Sequence, residues 1–150
     1  MLKVGDKAPN FKLPTGEGKT LSLKDLKGKK IVLYFYPKDN TSGCTKEACS
    51  FQENVTRIKK NGAVVIGVSA DSVASHAKFA TKYDLAFPLL SDESKDVINA
   101  YGVWKEKSMY GRKYFGIERT TFVIDESGTI KNIFTKVKVN GHTEEVLSVL

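Results

Sequence analysis

The chain has 150 residues, 41% hydrophobic and 27% charged, with a formal net charge of +7. That is enough for one domain, residues 1–150, whose core buries roughly two-thirds of the unfolded surface. No apolar stretch nears the ~20 residues of a membrane span, and two cysteines, Cys44 and Cys49, are too few for a disulfide scaffold. The start, Met1-Leu2-Lys3-Val4-Gly5-Asp6, lacks the apolar segment of a secretory signal, so a cytoplasmic, reducing setting and reactive thiols are expected. Basic residues are dispersed among Asp and Glu. Even the densest group, Lys27, Lys29 and Lys30, reads as surface solubility, and no nucleic-acid or membrane partner is expected.

In chain order, Gly5 to Pro14 reads as an extended segment. Thr15-Gly16-Glu17-Gly18 is a turn into a short strand at Thr20-Leu21-Ser22-Leu23. Ile31 to Tyr36 is a near-continuous apolar run, as in a strand covered on both faces. Phe51, Val55 and Ile58 follow helical spacing, which predicts one helix from about Gly43 to Lys60, stopped by Asn61-Gly62. Ala63 to Val68 is a second buried strand. Asp71 or Ser72 caps a helix with Val73, Ala77, Ala80 and Tyr83 on one face.

Phe87 to Leu90 is a short extended piece, and Asp92 to Tyr101 a short helix capped by Asp92 or Ser94. Strands at Thr120–Asp125 and Thr129–Phe134 flank a hairpin turn, Glu126-Ser127-Gly128. Gly141 to Leu150 closes the chain as an amphipathic helix. Strand–helix alternation followed by a hairpin and a helix predicts an α/β fold with a mixed central sheet and helices on both faces. A thioredoxin-like architecture suits this order.

Pro37, Thr41 and Cys44 have P-x-x-x-T-x-x-C spacing between the first buried strand and its helix. A thiol on a helix's first turn lies among free N–H groups and the positive end of the dipole, which favour thiolate. Thiolate is the form that attacks a peroxide oxygen, so the pattern reads as a thiol peroxidase. Thr41 has two compatible roles, helix cap or hydrogen-bond partner of the thiolate or the peroxide. Pro37 ends the strand without needing a ladder N–H, and either terminates it or shields the thiolate.

Arg119 precedes the strand at Thr120. Its guanidinium near Cys44 would stabilise thiolate, but no other sequence feature links the two positions, and a surface arginine is the simpler reading. Cys49 lies five residues after Cys44, about 8.5 Å away in a regular helix. A disulfide needs Cα atoms closer than about 7 Å. Cys49 is therefore either a core residue or a partner reached only when the first turns unwind. Glu47 and Glu53 read as helix-start residues. His76 and His142 have no ligand at metal spacing, so neither metal nor cofactor is expected. Trp104, Tyr101, Tyr110 and Tyr114 read as core or pocket wall.

Together these residues resemble a peroxiredoxin of the bacterioferritin-comigratory, or peroxiredoxin Q, group. The likeness runs through Gly5 to Phe11, Tyr34 to Pro37, Cys44-Thr45-Lys46-Glu47-Ala48-Cys49, Tyr101 to Trp104, Tyr110-Gly111, Gly116-Ile117 and Arg119 to Asp125. It implies Cys44 as peroxidatic cysteine, Thr41 and Arg119 as activating residues and Pro37 as shield. It also implies Cys49 as the resolving thiol of an intrachain disulfide, in a monomer that reduces hydrogen peroxide or organic hydroperoxides and is recycled by thioredoxin. One departure is Ser42, where the group often carries proline; serine should loosen this turn slightly. A one-cysteine peroxidase and a peroxide-switched redox sensor or binding protein are the alternatives.

Overall fold

The structure, a computed structural model describing residues 1–150, has nine strands and five α-helices. β1 (Lys12–Pro14) and β2 (Thr20–Ser22) form a small antiparallel pair, followed by a short 3-10 turn at Leu23–Leu26. Then come β3 (Lys30–Phe35), α1 (Ser42–Glu53), α2 (Val55–Lys60), β4 (Ala63–Ser69), α3 (Val73–Lys82), β5 (Leu89–Ser91) and α4 (Asp96–Ala100). β6 (Trp104–Met109), β7 (Arg112–Ile117), β8 (Thr120–Ile124), β9 (Ile130–Phe134) and α5 (His142–Leu147) complete the chain.

β3 is the centre of a five-stranded sheet of order β5-β4-β3-β8-β9. β3, β4 and β5 run parallel, while β8 and β9 are antiparallel to their neighbours. Both edges of β3 are paired and both faces are covered, which explains its unbroken apolar run. Ile31, Leu33 and Phe35 face one core, with Ile66, Val68, Phe122, Ile124 and α4's Val97 and Ile98. Val32, Tyr34 and Tyr36 face the other, with Cys44, Ala48 and Phe51 of α1, Ile58 of α2, Phe79 of α3 and Val146 of α5. The expected mixed sheet with helices on both faces is thus formed.

Three elements differ from expectation. The single helix from Gly43 to Lys60 is broken at Asn54, whose side-chain amide donates to Ser50 O at 2.8 Å while its backbone turns out of helical geometry (φ −109°, ψ 10°). An Asn amide competes with the helical ladder in this way. The helix expected from Asp92 begins only at Asp96. Asp92 instead folds back, its Oδ2 accepting from Ile98 N at 2.7 Å. The third difference is the β6–β7 hairpin, a separate two-stranded sheet. Of the aromatic group read as core or wall, Tyr101 is buried and Trp104 half-buried, but Tyr110 and Tyr114 are exposed. A ribbon that meets solvent on both faces has no apolar alternation to reveal it.

Gly67 of β4 lies beside Tyr34 in register. A Cβ there would stand 2.9 Å from Leu89 Cδ2 and 2.9 Å from both Cζ and Oη of Tyr34. Gly67→Ala is expected to destabilise the fold by about 1–3 kcal/mol through overpacking. Urea titration should show a lower midpoint at unchanged slope; an unmoved midpoint would mean that the ring yields freely.

Candidate active site

The loop from Pro37 to Thr41 joins β3 to α1, and Asp39 holds it down. The buried Asp39 carboxylate accepts from Tyr36 Oη at 2.5 Å and Ser75 Oγ at 2.7 Å, and lies 2.7 Å from His76 Nδ1. Its own N–H donates to Asp71 Oδ2 at 2.8 Å. The fully buried His76 ring donates from Nε2 to Leu90 O at 2.9 Å. Burial pushes the Asp39 pKa up, but the hydrogen bonds from His76 and Tyr36 outweigh it and hold the carboxyl below its ordinary value. Asn40 follows in the left-handed region (φ 59°), its Oδ1 accepting from Tyr83 Oη at 3.2 Å. The loop is thereby fastened to α3.

Sequence spacing gave His76 no carboxylate partner, yet the fold brings candidate ligand atoms of Asp39, Asp71 and His76 within 4.8 Å of one another. They come from three different elements, which spacing along the chain does not reveal. Those atoms are engaged in hydrogen bonds among themselves and with Tyr36, Ser69 and Ser75.

Thr41 has N-cap backbone geometry (φ −97°, ψ 160°), but its hydroxyl neither caps the helix nor bonds Cys44. It donates instead to Lys38 O at 2.9 Å, closing the turn and leaving its lone pairs free to accept. Pro37 is exposed just beyond the end of β3. Cys44 sits in the first turn of α1, buried to 1% exposure.

The structure joins Arg119 to Cys44. The guanidinium side chain is only 17% exposed, its Nη2 donates to Cys44 Sγ at 3.3 Å, and its Nη1 donates to Glu47 Oε1 at 2.6 Å. The simpler reading of Arg119 as a surface residue is therefore corrected. Sheet register brings it there: Phe35 pairs with Thr120, so the residue before β8 meets the chain leaving β3. A Cβ at Gly43 would lie 3.1 Å from Nη2, so glycine leaves room for the guanidinium against the helix start.

Glu47 is the site residue that sequence reasoning missed. It is no exposed helix-start residue; it is 2% exposed, and its Oε2 has no partner. Cys44, Glu47, Ala48 and Phe51 form the buried face of α1 at i, i+3, i+4, i+7 spacing. A carboxylate on that otherwise apolar stripe was the available signal. Burial raises the Glu47 pKa to about 7, against the pull of the Arg119 charge. One guanidinium thus serves two acids, a thiol and a carboxyl.

Cys49 is half-buried, and both cysteines are free thiols. Burial, and then the charge of Glu53, push the Cys49 thiol up. The two share the continuous helix α1, too far apart for a disulfide without unwinding.

A thiol at a helix start, held by a half-buried arginine, suits peroxide chemistry, and comparison with known proteins agrees. Residues 4–133 match the AhpC/TSA family. The chain belongs to that family and is a peroxiredoxin of the Bcp/PrxQ group. It is 57% identical over 146 residues to a putative peroxiredoxin bcp of Coxiella burnetii, covering 97% of each chain. It is 47% identical to peroxiredoxin Bcp of Bacillus subtilis, covering 99% of this chain and 95% of that one. Among solved structures, a mutant of Xylella fastidiosa PrxQ superposes with a TM-score of 0.94 at 39% identity, covering 99% and 94% of the two chains. The Xanthomonas campestris bacterioferritin comigratory protein, studied for its alkyl peroxide reduction activity, gives 0.88 at 42% identity over 92% and 88%. This peroxiredoxin is thus a peroxidase, an oxidoreductase with the thioredoxin-like fold.

Glu47 gives the peroxiredoxin a testable pH response. The unfolded carboxyl releases its proton near 4.5 and the folded one near 7. Within that window the folded state binds more protons, so stability should fall as pH rises and level off above about 7. The size is on the order of 3 kcal/mol. Glu47→Gln should flatten this component in urea unfolding at about pH 5 and about pH 8. Equal slopes in the parent and the variant would assign it to another group.

Proposed function

We propose that this peroxiredoxin, a single domain, reduces hydrogen peroxide and organic hydroperoxides with Cys44 as its peroxidatic thiolate. The observation that carries the reading is the Arg119 guanidinium on Cys44 Sγ at the start of α1. The alkyl peroxide reduction studied in the Xanthomonas campestris relative supports organic hydroperoxides as one substrate class.

The Cys44 thiolate attacks the distal oxygen of the peroxide. An S–O bond forms, the O–O bond breaks, and the departing oxygen takes a proton to leave as water or alcohol. Arg119 and the unpaired N–H groups of the first helical turn hold the charge as it moves from sulfur to oxygen. The free lone pairs of Thr41 accept the peroxide's O–H, which aims the distal oxygen at sulfur. Pro37 shields the thiolate from the strand side. Cys44 is left as a sulfenic acid.

The first turns of α1 then unwind. The Cys49 thiolate attacks Cys44 Sγ, the S–O bond breaks, the hydroxyl takes a proton from solvent and leaves as water, and an intrachain disulfide forms. A dithiol reductant of the thioredoxin type restores both thiols by exchange. No cofactor takes part, because the electrons come from thiols. Both cysteines act within one chain, so the unit is a monomer, and a reducing cytoplasm suits it.

One equivalent of hydrogen peroxide on the reduced protein should remove about 2 Da and both free thiols, with Cys44 linked to Cys49 in peptide maps. A gain of about 16 Da at Cys44 with Cys49 still free would make this a one-cysteine enzyme. Retained turnover in Cys44→Ser would sink the assignment altogether.

The unwinding step has its own test at Ser42. This is the first helical position, its N–H makes no hydrogen bond, and Thr41 before it is already extended. Proline fits both conditions. Ser42→Pro is expected to add about 0.4–1 kcal/mol of stability and to slow disulfide formation roughly two- to fivefold at saturating peroxide. An unchanged rate in stopped flow would mean that opening of the first turn does not limit resolution.

A further inference from the structure

Six large apolar side chains stand exposed, and four of them belong to the β6–β7 hairpin: Met109 and Tyr110 at its turn, and Tyr114 and Phe115 behind it on opposite faces of β7, paired with Lys107 and Glu106. The hairpin's base is anchored, with Ile117 in the core and Trp104 packed against it. Every residue from 108 to 115 is exposed. The ribbon is not joined to the central sheet.

The turn makes the tip more unusual. Tyr110 (φ 52°) and Gly111 (φ 77°) are both left-handed, as a two-residue hairpin turn with the strands' twist requires. Asparagine or glycine is the ordinary first residue; tyrosine there is strained. Its ring is 98% exposed, so folding gains nothing from it. Arg112 and Lys113 are exposed beside the turn, with Lys113 3.7 Å from Glu106, and the half-buried Lys105 and Lys107 stand farther down the ribbon, so cations outnumber the one carboxylate of the hairpin strands.

We propose that the hairpin tip is a peripheral anchor for an anionic lipid surface. Tyr110 and Met109 enter the boundary between headgroups and acyl chains, Tyr114 and Phe115 follow on the two faces of β7, and the exposed Arg112 and Lys113 meet lipid phosphates. Charge complementarity and side-chain type favour lipid over protein. Lysine is depleted at protein interfaces, whereas tyrosine and snorkelling lysine suit the membrane boundary. A narrow protruding ribbon presents little of the roughly 800 Å² per partner that a stable protein interface buries. No helix is long and apolar enough to cross a membrane, so the contact is superficial. This departs from the expectation of no membrane partner, which rested on the dispersed basic residues and the lack of a spanning segment. β7 leads within two residues to Arg119, and Lys107 lies close enough to Arg119 and Cys44 for their charges to act on it. The anchor would thus hold the thiol site beside the lipid surface.

The test is flotation of the reduced full-length protein with phosphatidylcholine vesicles, with and without phosphatidylglycerol. Binding to the anionic vesicles, weakened at about 0.5 M salt, is expected. Tyr110→Asn with Phe115→Ser should lower the partition coefficient about tenfold, leave hydrogen peroxide turnover unchanged, and melt no lower than the parent, since Asn suits the turn. Arg112→Glu with Lys113→Glu should lose at least as much through charge. Three results overturn the proposal. One is no binding of the parent to anionic vesicles. Another is equal binding by the tip variant, which would mean diffuse positive charge alone. The third is a raised KM of the tip variant for a protein dithiol without loss of vesicle binding, which would make the tip a protein-docking site.

Discussion

One half-buried guanidinium governs this structure. Arg119 faces two acids of the same helix face, Cys44 and Glu47, in a place where water reaches little of any of them. Removing a charge from water is tolerated only with a close partner. Burial pushes Glu47 toward neutrality near pH 7 against the pull of Arg119, which leaves the guanidinium available to sulfur. The geometry depends on the pairing of β3 with β8. A shift of one residue in that antiparallel register would turn the side chains of β8 to the opposite faces and carry Arg119 off the start of α1.

The two sides of Thr41 are built differently. Before it, the loop is fastened by Asp39 to Tyr36, Ser75 and His76, and by Asn40 to Tyr83. After it, α1 opens without a side-chain cap, since the Thr41 hydroxyl is committed to Lys38 O. Leaving out a cap forgoes roughly 1 kcal/mol of helix stability. A rigid loop followed by an uncapped helix is a boundary between a fixed part of the site and a part able to open.

The sequence displayed what depends on neighbours along the chain. β3 was readable because burial on both faces leaves a continuous apolar run, and Cys44 because strand, proline and helix follow one another within a few residues. The hairpin β8–β9 announced itself through Glu126-Ser127-Gly128. Partnerships across the sheet left no such trace. Arg119 and Cys44 are separated by 75 residues, and nothing at either position names the other. Asp39 and His76 were hidden for the same reason. Glu47 was visible in principle, but acids are common near helix starts, and that ordinary reading masked its place on the apolar stripe. The β6–β7 ribbon escaped because its outer part, residues 108–115, buries neither face, so its composition resembles a loop.

The position of Glu47 also bears on the proposed redox cycle. It lies between Cys44 and Cys49, so unwinding that brings the two sulfurs together must take Glu47 out of its buried setting. In the folded helix its Oε2 has no partner, and such a buried polar atom carries a penalty of about 1–3 kcal/mol. Exposure to water removes that penalty and lets the carboxyl ionise at its ordinary value. The ion pair with Arg119 is lost in the same motion, but Cys44 as a neutral sulfenic acid no longer needs the guanidinium's charge. The element that must open is therefore held by a contact whose value is greatest before the peroxide reacts and smallest afterwards. In this account the chemical state of one sulfur sets how firmly the start of α1 is held.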